Sequence, residues 1–481
     1  MQTNTDDLLK KLEQLDNSSR LLDMSETERM AMISQVADYA NTFINGLDTV
    51  KGFREKAADN LAIRNTTTSL PELLALYQRE VAETGINAAS PKHLGYIPGG
   101  GVFTAALADF IAAVTNPFAG IHYAAPGAAT IENEVVHWIK SVFSFPEQAA
   151  GCLTSGGSVS TLIAFAAARD QYNVKNAIIP QSVVYLSNQA HHSVRKALRI
   201  IGLEDVIVRH IPVDDRHRII PDALQQLIEQ DKAEGKYPFL IVATAGTTDT
   251  GAVDPLNDIA DIAEQHKLWL HIDGAYGGFF ILSSKKSLFA GIERADSLII
   301  DPHKSLFLPY GVAAVLIKNP KAALHSHYYT ANYMQDGDHE VLLNSPANLS
   351  PELTRHFRGL RVWLPLQLHG TAPFISCLEE KLLLVQYFRI RLAELGFCLG
   401  PEPDLSVSYF WYPFEKDCDA MNRKLMDAIH RDGSVFLSSS VIDGRYVIRM
   451  AILAFRTKKA TIDEAVEMIQ HCLQSVQRQL Q

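Results

Sequence analysis

The sequence predicts an α/β fold, a mostly parallel central sheet with helices on both faces, preceded by a helical segment and followed by a small α+β part. Three observations predict it. Between residues 140 and 318, short β-rich apolar runs alternate with helical stretches, the pattern of strands joined by crossover helices. The polar residues of that region gather where the runs end, and ligands of such sheets collect at the carboxyl ends of the strands. The chain has 481 residues, 47% of them hydrophobic and 20% charged, enough for a large core shared among two or three parts.

The elements follow in order. Residues 1 to about 90 read as helical, and "SETERMAMISQVADYANTFINGL" opens on a capping box, Ser25 with Glu28 three residues later. The strands and helices of the central part are "SVVYLS" then "HHSVRKALRIIG", "FLIVATAG" then "LNDIADIAEQHK", and the runs "LWLHID", "SLIID" and "GVAAVLIK". Residues 327 to 350 are polar, long and without apolar periodicity, so a mobile functional loop is expected there. "FRGLRVWLPLQLHG" begins a helical connection, and the chain ends in the helix "TIDEAVEMIQHCLQSVQRQL". The expected division is 1–90, 91–370 and 371–481: a helical segment, a large α/β domain and a small α+β domain.

Composition excludes several function classes. Lys plus Arg number 44 and Asp plus Glu 54, a net charge of −10, with no basic run to neutralise a row of phosphates, so nucleic acid is not expected as a partner. Cysteines 152, 377, 398, 418 and 472 stand singly, which argues against a disulfide framework or a zinc site and for reduced thiols in the cytoplasm. The N-terminus is polar with early acids, unlike a secretion signal. The apolar runs fall short of the about 20 residues that cross a bilayer, so no membrane is expected.

Four stretches carry chemistry. In "SLIIDPHKSLFLPYG", residues 297 to 311, Lys304 follows a buried-looking strand, where a charged amine is costly unless paired or neutralised; alone, it reads first as a lysine reaching solvent from a strand end. "TSGGSVSTLIAFAAARD", residues 154 to 170, sets small residues before a helix, whose free amides and Ser158 hydroxyl suit a phosphate; alone, it is also ordinary turn punctuation. "LWLHIDGAYGG" ends a strand on Asp273, 31 residues before Lys304. If the two strands share one sheet edge, acid and amine face one cleft near the glycine-rich helix start. A phosphate cradle, a lysine and an acid for a pyridine nitrogen are the groups pyridoxal phosphate requires. In "YLSNQAHHSVRKAL" two histidines follow a strand end, where a flat imidazole suits stacking or merely caps a helix.

"TSGGS", "QAHHSV", "HIDGAYGG" and "DPHK", in that order and spacing, resemble the group II pyridoxal-phosphate-dependent decarboxylases, the family of aromatic L-amino acid, glutamate, histidine and diaminobutyrate decarboxylases. The resemblance runs from about residue 90 to the C-terminus and implies a fold-type I transferase-like architecture and pyridoxal 5'-phosphate as cofactor. It makes Lys304 the Schiff-base lysine, Asp273 the partner of the pyridine nitrogen, and Ala275 and His191 the two ring neighbours. Gly157, Ser158 and His303 would hold the phosphate, and Thr248 of "TAGTTDTGAVDP" would lie near the ring hydroxyl. His192 is left a structural role. Tyr333 matches the loop tyrosine that decarboxylases keep for protonation, where related aldehyde-forming enzymes carry phenylalanine. In "HLGYIPGGG", Tyr96 and Pro98 match the segment lining the substrate pocket, while Gly99 falls where several relatives have a larger polar residue.

The implied reaction is decarboxylation of an L-amino acid, an aromatic one by family frequency, to an amine and carbon dioxide. The alternatives are an acidic or basic amino acid, another pyridoxal reaction such as transamination, sulfur removal or oxidative deamination, and a non-catalytic binding protein on the same fold. The resemblance also implies a homodimer with the cofactor at the subunit boundary, and the N-terminal helices, whose apolar residues have no evident partner in a single α/β unit, are expected to wrap the partner.

Overall fold

The computed structural model describes residues 5–63, 65–329 and 339–478. Helices α1 (Thr5–Ser19) and α2 (Glu26–Gly46) open the chain. The expected capping box forms: the Glu28 amide donates to Ser25 Oγ at 3.3 Å and the Ser25 amide donates to Glu28 Oε2 at 2.8 Å. The region up to residue 90 is less helical than its sequence suggests. After α2 the chain runs irregularly, with β1 (Phe53–Arg54) pairing antiparallel to β2 (Gly85–Ile86) across α3 (Leu70–Tyr77). The helical reading of that stretch fails because "NTTTS" and its flanks lack an apolar stripe to bury.

Next come α4 (Phe103–Thr115) and α5 (Pro126–Val142). The central unit then alternates as β3 (Ala150–Thr154), α6 (Gly157–Gln171), β4 (Ser182–Ser187), α7 (Ser193–Ile200), β5 (Ile207–Ile211), α8 (Pro221–Ala233), β6 (Tyr237–Thr244) and α9 (Leu256–His266). It continues through β7 (Trp269–Asp273), β8 (Ser297–Ile300), the short turn of helix α10 (Pro302–Ser305), β9 (Ala313–Ile317) and α11 (Pro320–His327). The seven strands lie in the order β3-β9-β8-β7-β6-β4-β5. Strand β9 runs antiparallel to both β3 and β8, and the remaining pairs are parallel.

Alternation along the inner strands divides the apolar interior in two. Ile241, Ala243, Leu270 and Ile272 face one core and Leu240, Val242 and Trp269 the other, so helices must cover both faces. Register puts Thr244 beside Asp273 and Asp273 beside Ile299, which aligns the carboxyl ends of β6, β7 and β8 at one edge. Beyond α12 (Arg358–His369) and α13 (Ala372–Glu394), a four-stranded antiparallel sheet of β10 (Cys398–Leu399), β11 (Val407–Trp411), β12 (Ser438–Ile442) and β13 (Arg445–Ala451) packs with α14 (Cys418–Asp432) and α15 (Lys459–Arg478) around its own core. Among the described residues no helix is long and apolar enough to cross a membrane, and no group of three or more metal-ligating side chains gathers.

Candidate active site

The aligned strand ends open into a cavity of about 420 Å³. Gly157 and Ser158 line it from the start of α6, His191 from the β4–α7 loop, and Thr248 from the loop after β6. Asp273 and Ala275 enter at the end of β7, and His303 and Lys304 from α10. A second cavity, about 370 Å³ between α2 and α3, is lined by residues such as Phe43, Leu47 and Leu74 and holds no comparable set of nucleophile, acid and imidazole.

Lys304 sits at the third position of α10, a turn that Pro302 starts and Asp301 precedes. Its Nζ lies 3.0 Å from Asp301 Oδ2. Burial alone would pull the amine below the ordinary lysine range, but Asp301 and then Asp273 outweigh that loss and hold it above. Asp273 is buried and its Oδ1 accepts the Ala275 amide hydrogen at 3.0 Å. Burial pushes this carboxyl up, and the nearby Lys304 charge works against the shift.

The two histidines of the cleft are held neutral and in opposite tautomers. The Ser193 amide donates to His191 Nδ1 at 3.3 Å, and Ser193 Oγ lies 2.8 Å from the same atom. A backbone N–H can only donate, so Nδ1 is an acceptor and the ring proton is assigned to Nε2. Burial, then His192, then Lys304 lower the His191 pKa to about 4. His192 packs its ring 4.0 Å from that of His191. His303 Nδ1 lies 2.6 Å from the Val312 carbonyl, which can only accept, so there the proton is on Nδ1. Burial depresses this imidazole too, so its Nε2 donates to an anion only once a second proton is bound.

The residues present fit a phosphorylated pyridine aldehyde. Gly156 has open space where a Cβ would stand, and a Cβ on Gly157 would come 3.1 Å from Asp301 Oδ2, so the chain here is bare backbone facing the cavity. The first amides of α6 have no partner one turn earlier, the usual anion-binding feature of a helix start. Gln189 Oε1 and Asp301 Oδ1, both from lining residues, are buried without hydrogen-bond partners. Lys304 and Asp273 supply a half-buried amine and a buried carboxylate to the same cavity.

Two predicted residues are not brought to the cavity wall. Tyr96 has φ +49°, which turns its ring 5.6 Å from that of Phe436, and Pro98 is buried behind the cleft. Their segment touches the site by backbone instead: a Cβ on Gly99 would fall 2.3 Å from the His303 carbonyl oxygen. Tyr333 lies outside the described residues, as do the other residues of 330–338 in the loop expected around it, whose described end forms 3-10 turns at His339–Asn344 and Pro346–Leu349.

Sequence reasoning missed three residues. Asp301 was in view within "DPHK", and its place three residues before Lys304 was the available signal. Arg449 and Arg456 carried none, since they come from the C-terminal sheet and the loop after it to hold backbone beside the cavity without lining it. The buried Arg449 guanidinium donates to the carbonyls of Tyr96, at 3.1 Å, and of Thr248. Arg456 donates to the Gly100 carbonyl at 2.6 Å.

Residues 54–412 match the pyridoxal-dependent decarboxylase conserved domain. The chain is similar to an aromatic-L-amino-acid decarboxylase of Bacillus atrophaeus, 33% identical over 94% of this chain and 96% of that one. It is also similar to an acidic amino acid decarboxylase of Homo sapiens, 30% identical over 73% of this chain and 69% of that one. Among solved structures, Oryza sativa TDC with PLP and tryptamine superposes with a TM-score of 0.88 at 20% identity, covering 94% and 99% of the two chains.

Proposed function

The chain belongs to the pyridoxal-dependent decarboxylase family, with pyridoxal phosphate as its cofactor, and from that premise we propose that it converts an aromatic L-amino acid into the corresponding amine and carbon dioxide. The observation that carries the reading is the meeting of Lys304, Asp273 and His191 in one cleft beside the start of α6. When bound, the cofactor supplies an aldehyde for a lysine amine and a pyridine ring that accepts the electron pair left by departing carbon dioxide.

The residues then act as follows. Lys304 provides the amine. Asp273 would accept a hydrogen bond from the protonated pyridine nitrogen, which would favour its own ionised form against the burial that raises it. His191 presents a neutral flat ring to one face and Ala275 a methyl group to the other. Gly157 and Ser158 would donate to the phosphate, joined by His303 when it carries a second proton, and Thr248 would hold the side of the ring hydroxyl. Tyr333 delivers the proton that replaces carbon dioxide on the α-carbon, and its loop excludes water.

The aromatic choice is supported by the Bacillus relative and by the cavity lining. Among the described lining residues Lys304 is the sole lysine or arginine, and Arg449 beside them spends its guanidinium on the Tyr96 and Thr248 carbonyls. A decarboxylation screen over all amino acids, with carbon dioxide and amine both measured, tests this. Turnover confined to an acidic substrate would overturn it and favour the reading drawn from the acidic amino acid decarboxylase.

The same reading includes a cytoplasmic homodimer in which the segment 1–90 wraps the partner, beside a large domain 91–370 and a small domain 371–481. Its support is the apolar side of α1, where Leu8, Leu9, Leu12 and Leu15 are exposed, and of α4, where Phe103, Phe110 and Val114 are. Light scattering on the purified protein decides between this and a monomer.

A further inference from the structure

Lys304 has a charge partner to which the reaction above gives no task. Asp301 precedes α10, is 1% exposed, and places Oδ2 3.0 Å from Nζ, while its Oδ1 is left without a hydrogen-bond partner. Among the described residues no other carboxylate comes within 4.0 Å of that amine. Asp273, at the end of β7, acts on it from further away and spends Oδ1 on the Ala275 amide. The remaining titratable groups facing Lys304 are Tyr310 from the loop before β9, His191 from the β4–α7 loop and His303 on α10 itself. Desolvation raises the Tyr310 phenol and burial depresses both imidazoles, so all three are neutral near pH 7.

We propose that Asp301 is the counter-ion that keeps Lys304 charged while the cleft is free of cofactor, a positioning residue that governs how readily this amine becomes a neutral nucleophile. The inference rests on Lys304 being the amine that takes the cofactor. Its physical content is a balance of two opposed effects. A buried ammonium loses hydration, which favours release of its proton, and a carboxylate at contact distance restores the charged form. With Asp301 neutralised, the desolvation remains and only the more distant Asp273 opposes it. The amine must then shed its proton at a lower pH.

The test uses cofactor-free full-length protein and does not depend on turnover. Trace acetic anhydride labels lysines competitively from neutral to alkaline pH, and mass spectrometry of the Lys304 peptide gives the pH at which its reactivity is half maximal. The wild type is expected to show a midpoint above that of surface lysines in the same sample. Asp301→Asn is expected to lower the midpoint and raise labelling near neutral pH by about tenfold for each unit lost, with a smaller change in Asp273→Asn. An unmoved midpoint in Asp301→Asn, or a larger shift in Asp273→Asn, overturns the proposal. Circular dichroism checks that the variants fold; should Asp301→Asn not fold, a wild-type midpoint at or below that of the surface lysines still overturns it. Borohydride reduction of the cofactor-loaded wild type separates the premise from the inference: trapping on another lysine refutes the assignment of Lys304, whereas trapping on Lys304 with an unmoved midpoint refutes only the role of Asp301.

Discussion

Gly99→Ala is the sharpest probe of how the N-terminal side of the cleft meets the lysine turn. A Cβ at this position would stand 2.3 Å from the His303 carbonyl oxygen and 3.0 Å from that of Lys304. Ordinary contact begins near 3.4 Å, so about 1 Å must open between the two segments. Neither side yields freely. The glycine segment is tied by Arg456 to the Gly100 carbonyl and by Arg449 to that of Tyr96, and α10 is held by the bonds of His303 to Val312 and of Lys304 to Asp301. Overpacking of this kind costs about 1–3 kcal/mol of stability. A shift of about 1 Å at a reacting group costs about a hundredfold in rate. The assay is steady-state kinetics on the best substrate of the screen together with thermal unfolding. A fall of about a hundredfold in kcat with KM little changed would mean that the lysine turn moves, and a rise in KM that the glycine segment does. Gly127→Ala serves as the control, because its added Cβ meets nothing within 4 Å. Wild-type kcat and melting temperature in Gly99→Ala would refute the reasoning.

Lys304→Ala is expected to abolish turnover and the borohydride-reducible linkage while circular dichroism stays native, since the side chain lines a cleft and is not core packing; turnover near the wild-type rate refutes the assignment. Asp273→Asn is expected to keep cofactor absorbance and lose most activity, because a neutral amide does not hold the pyridine nitrogen protonated; full activity would identify a different acid. Tyr333→Phe is expected to bind cofactor and substrate yet lose amine formation, with aldehyde appearing in air; amine at an undiminished rate would remove Tyr333 from the mechanism. Stability is expected to fall as pH drops from about 6.5 towards 4. Burial lowers His93 to about 4 and His271 to about 3, so in that window the unfolded chain binds the protons these histidines refuse. Each contributes a slope of about 1.4 kcal/mol per pH unit, and urea unfolding at several pH values showing no such loss would contradict it.

What could be read without a structure was whatever depends on neighbours in sequence. Strand and helix alternation between residues 140 and 318, the capping box at Ser25, and the glycines before α6 are short-range patterns, and each produces its element through backbone geometry and local burial. The order of the motifs marked the family, because the same chain segments must deliver the same groups to one edge. Tertiary structure alone decided the rest. The antiparallel course of β9 follows from where the turn after Lys304 sends the chain, and a strand run of "AAVLI" reads the same in either direction. Tyr96 stands outside the cavity lining, with a positive φ and its ring against that of Phe436, more than 300 residues away in sequence. Arg449 and Arg456 hold the segment 96–101 across a similar distance. For the pairing of Lys304 with Asp301 rather than Asp273 the sequence offered only the three-residue spacing. Both carboxylates lie before the lysine in the chain, and Coulomb energy follows the separation through space, which only the packed strand ends set.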